Sequence, residues 1–203
     1  MEIRGVPPRK RAEMVEETRA KLIQAARKAF ADKGFAAASM DELTAGAGLT
    51  RGALYHNFGD KKGLLQAVID QMDAEMNLRL RAVRDAAPTV WQGMLDEYTA
   101  YIEMALEPEI QRVMLLDGPA VLGDPSTWPS QNACLRTVTH TIQSLIDAGT
   151  IRPVDAEAAA RLLNGASLNA AIWIAASENP AATLAKAVEA FRLLALGLLK
   201  AKS

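Results

Sequence analysis

Residues 47–65 read AGLTRGALYHNFGDKKGLL. Gly48 permits a tight turn, Thr50 is placed to cap a helix over about 51–57, and Asp60 to cap another starting at Lys61. A short helix built only to pack would not need Arg51, Gly52, Tyr55 and His56 on its surface, followed at once by Lys61 and Lys62. Upstream, Ser39-Met40-Asp41-Glu42 has the pattern of a capping box, in which the serine accepts from the backbone and the glutamate reaches back. It opens a helix over 40–47. Two short helices joined by a glycine-containing turn form a helix-turn-helix. Leu43, Ala47, Leu49 and Leu54 are spaced to hold the pair inward, which leaves the N-terminal end of the third helix outward.

Outward from this stretch the chain reads as helical throughout. Period-2 alternation is absent, and Ala, Leu, Arg and Glu dominate. Residues 1–11, MEIRGVPPRKR, read as a flexible basic arm; Arg4, Arg9, Lys10 and Arg11 fit either a DNA contact or a weakly attracted tail. A first helix spans 12–33 and stops at Gly34. The fourth begins at Lys61 and reaches about 83. Pro88 and Pro108 start two more. After an irregular connection around Gly118-Pro119 and Gly123-Asp124-Pro125 come helices over 127–148, 155–177 and 180–200. The expectation is an all-α chain of about nine helices. Its domains are an N-terminal helix-turn-helix domain (1–62) and a larger C-terminal bundle (63–203).

The 203 residues are half apolar and 23% charged, enough for a real core. The longest apolar run, Ala170–Ala176, is too short to span a bilayer, and the N-terminus has no signal-like stretch, so the expected compartment is the cytoplasm. A single cysteine, Cys134, rules out an internal disulfide. The net charge of −1 conceals a basic head: 12 basic against 8 acidic residues in 1–62, but 11 against 16 in 63–203. A polyanion partner at the N-terminal end follows. Arginine at the start of a groove-facing helix can donate two bonds to a guanine edge, while the Thr50 and Tyr55 hydroxyls suit phosphates. Lys61 sits in a first helical turn, where exposed N–H groups favour a phosphate. A helical enzyme is disfavoured. The only histidines are His56 and His140, residue 137 is Thr, so no Glu-x-x-His pair forms, and no metal or cofactor is called for.

The pieces TRAKLIQAARKAF, KGF, SMDELTAGAGLTRGALYHNF and DKKGLL, in this order, resemble the DNA-binding domain of the TetR family of transcriptional repressors. The resemblance implies an all-helical homodimer that binds an inverted-repeat DNA operator and is released by a small-molecule effector in the C-terminal domain. Thr50, Arg51, Gly52, Tyr55, His56 and Lys61 match the family's DNA-facing positions, and Thr18 and Ser39 match helix starts that touch phosphates. His56 fits a contact or a solvated helix end equally well. Ala38 departs from the pattern where a hydroxyl is common, Thr44 where alanine is usual, and Gly46 lies inside the second helix.

Two further sets of residues are expectations. Met72, Met76, Trp91, Met94, Tyr98, Tyr101, Met104, Asp117, Trp128 and Trp173 form a candidate pocket for a largely apolar effector, although most of them would be core in any bundle. The helix 155–177 is nearly apolar all round, which predicts burial on two sides. Leu163, Gly165, Ala166, Ala170 and Trp173 on it, with Phe191, Leu194, Ala195 and Leu198 on the last helix, would build a four-helix dimer interface. The alternative is a central helix in a monomer.

Overall fold

The computed structural model describes residues 8–200, with side chains from Ala12 onward. Nine α-helices are present among them: α1 (Pro8–Lys33), α2 (Met40–Gly46), α3 (Arg51–Phe58), α4 (Lys61–Ala86), α5 (Val90–Glu103), α6 (Gly118–Leu122), α7 (Pro129–Asp147), α8 (Ala156–Ala176) and α9 (Pro180–Leu196). A π-helical stretch, Ile110–Asp117, runs directly into α6, and among the described residues no strand occurs beyond one isolated bridge between Ile151 and Leu199. The all-α expectation therefore holds.

Several boundaries move. Helix α1 starts at Pro8, so residues 8–11 of the expected arm are helical, and residues 1–7 lie outside the described residues. Proline is tolerated in a first turn because its missing N–H would have had no helical partner there. The fifth helix starts after Thr89, whose hydroxyl caps Gln92 N at 3.2 Å, and not at Pro88. The last ends at Leu196, because the bonds Arg152 N→Leu198 O (2.8 Å) and Lys200 N→Thr150 O (3.2 Å) draw the following residues into an extended pairing.

Two compact units divide the chain, Met1–Gln71 and Met72–Ser203, later than the expected break at 62/63. The reason is that Leu64, Leu65, Val68 and Ile69 in the first turns of α4 are fully buried. In the N-terminal unit α1 packs on α2 and α3 through a core that includes Leu22, Ala26, Phe30, Leu43 and Leu54. In the C-terminal unit α8 is central, packed against α5, α7, α9 and the π-helical stretch. One side of it is buried within the chain, through Ala159, Ala160, Leu163, Ala171 and Ile174, while Leu162 and Trp173 stay exposed.

Candidate nucleic-acid interface

Helices α2, α3 and α4 each start on a side-chain cap. Ser39 Oγ accepts from Glu42 N at 3.1 Å, Thr50 Oγ1 from Ala53 N at 3.3 Å, and Asp60 Oδ1 from Gly63 N at 2.7 Å. The capping box is half formed, because Glu42 turns to an ion pair with Lys33. Gly48 has φ +65°, the left-handed turn that joins α2 to α3. Leu54 is wholly buried beneath α3, which leaves Thr50, Arg51, Gly52, Tyr55 and His56 exposed along one end of it. Leu43 is buried as expected, and Ala47 and Leu49 are half-buried.

Three of the expected contact residues are already engaged. Arg51 donates through Nε and Nη2 to the Asp41 carboxylate. The paired charges, hydrogen bond first, hold Asp41 below its ordinary range and raise Arg51 above its own. Both side chains are exposed, so a guanine edge can exchange for Asp41 at small cost. Lys61 places Nζ 4.4 Å from the centre of the Phe35 ring and 3.4 Å from Ala36 O, bracing the start of α4 against the α1–α2 connection. Thr18 is the correction: it lies well inside α1, half-buried, and its hydroxyl donates to Met14 O at 2.8 Å. It marks no helix start. Ala38 is buried, so a missing hydroxyl there removes no surface contact. Phe58 lies under the guanidinium of Arg19, 4.7 Å from its ring centre. Neither Asp41 nor Arg19 stood out in the sequence. Both belong to partners ten or more positions away, beyond any helical spacing.

The C-terminal unit holds a two-lobed cleft. The cavity volume is about 60 Å³ in the main lobe and about 20 Å³ in the side lobe. Asp73, Met76, Tyr101, Gln131 and Leu168 line both. Of the expected pocket residues, Met76, Tyr98, Tyr101 and Trp128 line it. Met72, Trp91, Met94 and Met104 are buried outside the lining, in the core role any bundle offers them. Asp117 closes the π-helical stretch away from the lining, and Trp173 is exposed. The lining is more polar than expected, with Asp73, Asn77, Glu97, Ser130, Gln131, Cys134, Asn164 and Ser167 among its walls. Asn164 and Ser167 had a signal: polar residues inside a helix otherwise apolar all round. Tyr98 donates its hydroxyl to Asn164 Oδ1 and lies 5.2 Å from the Phe191 ring. Burial pushes the phenols of Tyr98 and Tyr101 well up, and the Cys134 thiol, an exposed residue on the cleft lining, is pushed to about 11 by desolvation and by the nearby Glu97 and Asp73 carboxylates.

The expected interface set also divides. Leu163, Phe191 and Ala195 are buried within the protomer, and Leu198 lies half-buried in the turn after α9, so these four are not outward-facing. Gly165, Trp173 and Leu194 are exposed, and Ala166 and Ala170 half-exposed. Leu162 and Leu193, not anticipated, are exposed beside them.

With the helix-turn-helix and the separate cleft described, comparison with known proteins is decisive. The chain matches the family described as Tetracyclin repressor-like, C-terminal domain over residues 91–198 and that described as Bacterial regulatory proteins, tetR family over 22–68. The chain belongs to the TetR family of transcriptional regulators. It is similar to a TetR-family regulator of Pectobacterium atrosepticum, at 50% identity over 94% of this chain and 98% of that one, with a TM-score of 0.86. It is 25% identical to the Transposon Tn10 TetC protein of Escherichia coli over 79% of this chain and 81% of that protein. The HTH-type transcriptional repressor AcnR of Corynebacterium glutamicum is 30% identical over 49% of this chain and 52% of its own length. As a TetR-family member the chain is a DNA-binding transcriptional regulator. No described helix is long and apolar enough to cross a membrane.

Proposed function

We propose that this TetR-family chain is a cytoplasmic repressor that binds an inverted-repeat operator as a homodimer and releases it when a small molecule enters the C-terminal cleft. The observation that carries the reading is the pairing of two features in separate units. One unit presents the exposed end of a capped recognition helix, and the other holds a part-enclosed, mixed-polarity cleft. Thr50, Tyr55 and His56 on α3 and Ser39 on α2 supply phosphate and base contacts in this proposal, with Arg51 as the base reader. An exposed apolar surface supports the homodimer. Leu162 and Trp173 stand three turns apart on one face of α8, with Gly165 between them, and Leu193 and Leu194 project from α9. A Cβ on Gly165 would meet nothing within 4 Å, so a second copy can approach closely there.

Effector action is a population shift: a ligand that prefers the arrangement with misplaced recognition helices weakens operator binding by its differential affinity. Helix α4, whose residues enter both units, is the proposed link. Selection of bound DNA from random sequence tests the reading. A two-fold symmetric consensus, bound with a steep salt dependence, is the expected result. Enrichment of no symmetric sequence would overturn it.

A further inference from the structure

The ionisable side chains lining the cleft are all acids. Asp73 and Glu97 supply the charge, since the raised Tyr98 and Tyr101 phenols and Cys134 thiol are neutral near pH 7, and among the described residues no lysine, arginine or histidine lines either lobe. Glu97 is partly answered by Arg84 Nη1 at 3.5 Å, from outside the lining, and burial holds its carboxyl above the ordinary range, so Asp73 is the main charge of the cleft. Asp73 stands in the wall common to both lobes. An anionic ligand would bring like charge into a cleft whose lining offers no basic side chain, where walls such as Met76, Tyr101 and Leu168 thin the water and weaken screening. A cation would meet charge of opposite sign.

A second, independent feature lies in the side lobe. Trp128 lines it, is more than nine-tenths buried, and its indole Nε1–H has no acceptor among the described residues. Buried donors are normally paired, and a donor left over in the wall of a cleft is satisfied when a ligand supplies an oxygen.

Resting on the effector reading above, we propose that the cleft is a receptor for an amphipathic amine bearing a hydrogen-bond acceptor. The ammonium lies beside Asp73, the apolar body along Met76, Leu168 and Tyr101, and the acceptor on the Trp128 N–H. The same charge pattern disfavours acidic effectors.

Three probes of one shape test this by calorimetry on the full chain: 5-methoxytryptamine, 5-methoxyindole-3-acetate and 5-methoxytryptophol, with tryptamine as the probe lacking the methoxy oxygen. The amine is expected to bind about tenfold or more tighter than the carboxylate, with the alcohol between. Asp73→Asn should abolish the preference for amine over alcohol. Trp128→Phe should remove the advantage of the methoxy compound over tryptamine. Glu97→Gln serves as the second charge variant should Asp73→Asn fail to fold, and the wild-type ranking stands whatever the variants do. Equal or tighter binding of the carboxylate, or no binding of the amine at millimolar concentration, would overturn the proposal. The same probes added to the selected operator complex separate the two readings. An amine that binds without releasing DNA counts against the effector role and leaves the ligand class standing. Release by the carboxylate alone preserves the effector role and sinks the ligand class.

Discussion

Arg51 carries the most specific prediction at the scale of single residues. Its two-bond hold on Asp41 shows a guanidinium already aimed as a fork, the geometry that a guanine edge accepts. Arg51→Ala is expected to relax preference at one base position of each half-site by about tenfold, read from competition gel shifts with single-base operator variants. Asp41→Ala releases that fork and removes a negative charge from the DNA-facing end, so it should tighten operator binding, as measured by titration at fixed salt. Lys61 behaves differently because its ammonium braces Phe35 and Ala36. Cys134 gives a pH prediction. Its thiol is pushed up to about 11, so the reactive thiolate is scarce at neutral pH and grows only as pH rises toward that value. Alkylation by iodoacetamide should accordingly be slower at pH 8 than for a free cysteine, with the rate climbing through pH 10, followed by mass spectrometry.

The junction of α3 and α4 is the place where one atom governs an element. Gly59 turns the chain with φ +77°, and a Cβ built on Gly63 would come within 2.1 Å of Phe58 O. Backbone cannot yield as a flexible side chain can. Gly63→Ala is therefore expected to lower stability by about 1–3 kcal/mol, read from urea unfolding, and to weaken operator binding by displacing α3. Gly46, also within the helix-turn-helix, is a contrast: a Cβ there would sit 3.6 Å from the Ala25 Cβ, an ordinary contact. The sequence marks both as glycines with equal plainness. Only the approach of another backbone separates them.

For the whole molecule, the exposed apolar surface of α8 and α9 makes the prediction. Leu194→Asp and Trp173→Asp, at residues 70% and 51% exposed, should leave the fold of one chain intact while shifting it to monomer in sedimentation experiments. Operator affinity should fall with the dimer, since a two-fold site is read by two recognition helices. Phe191→Ala, by contrast, opens a cavity beneath Tyr98 and should cost about 3–5 kcal/mol of stability. The two kinds of variant separate assembly from folding.

The amino-acid sequence by itself determined the helical class, the caps at Ser39, Thr50 and Asp60, the turn at Gly48, and the family of the N-terminal domain. These are local properties, written in spacings of three or four residues that backbone geometry must obey. Helical periodicity places Phe191 and Leu194 on α9 but does not say which of them faces the core and which faces outward. Nor does it show that Asp41 holds Arg51, that Thr18 bonds back into its own helix, or that Asp73 and Trp128 line one cleft. Those facts depend on which helix packs against which, and the tertiary structure alone decided them, because long-range neighbours are chosen by complementary shape and charge across the fold rather than by position along the chain.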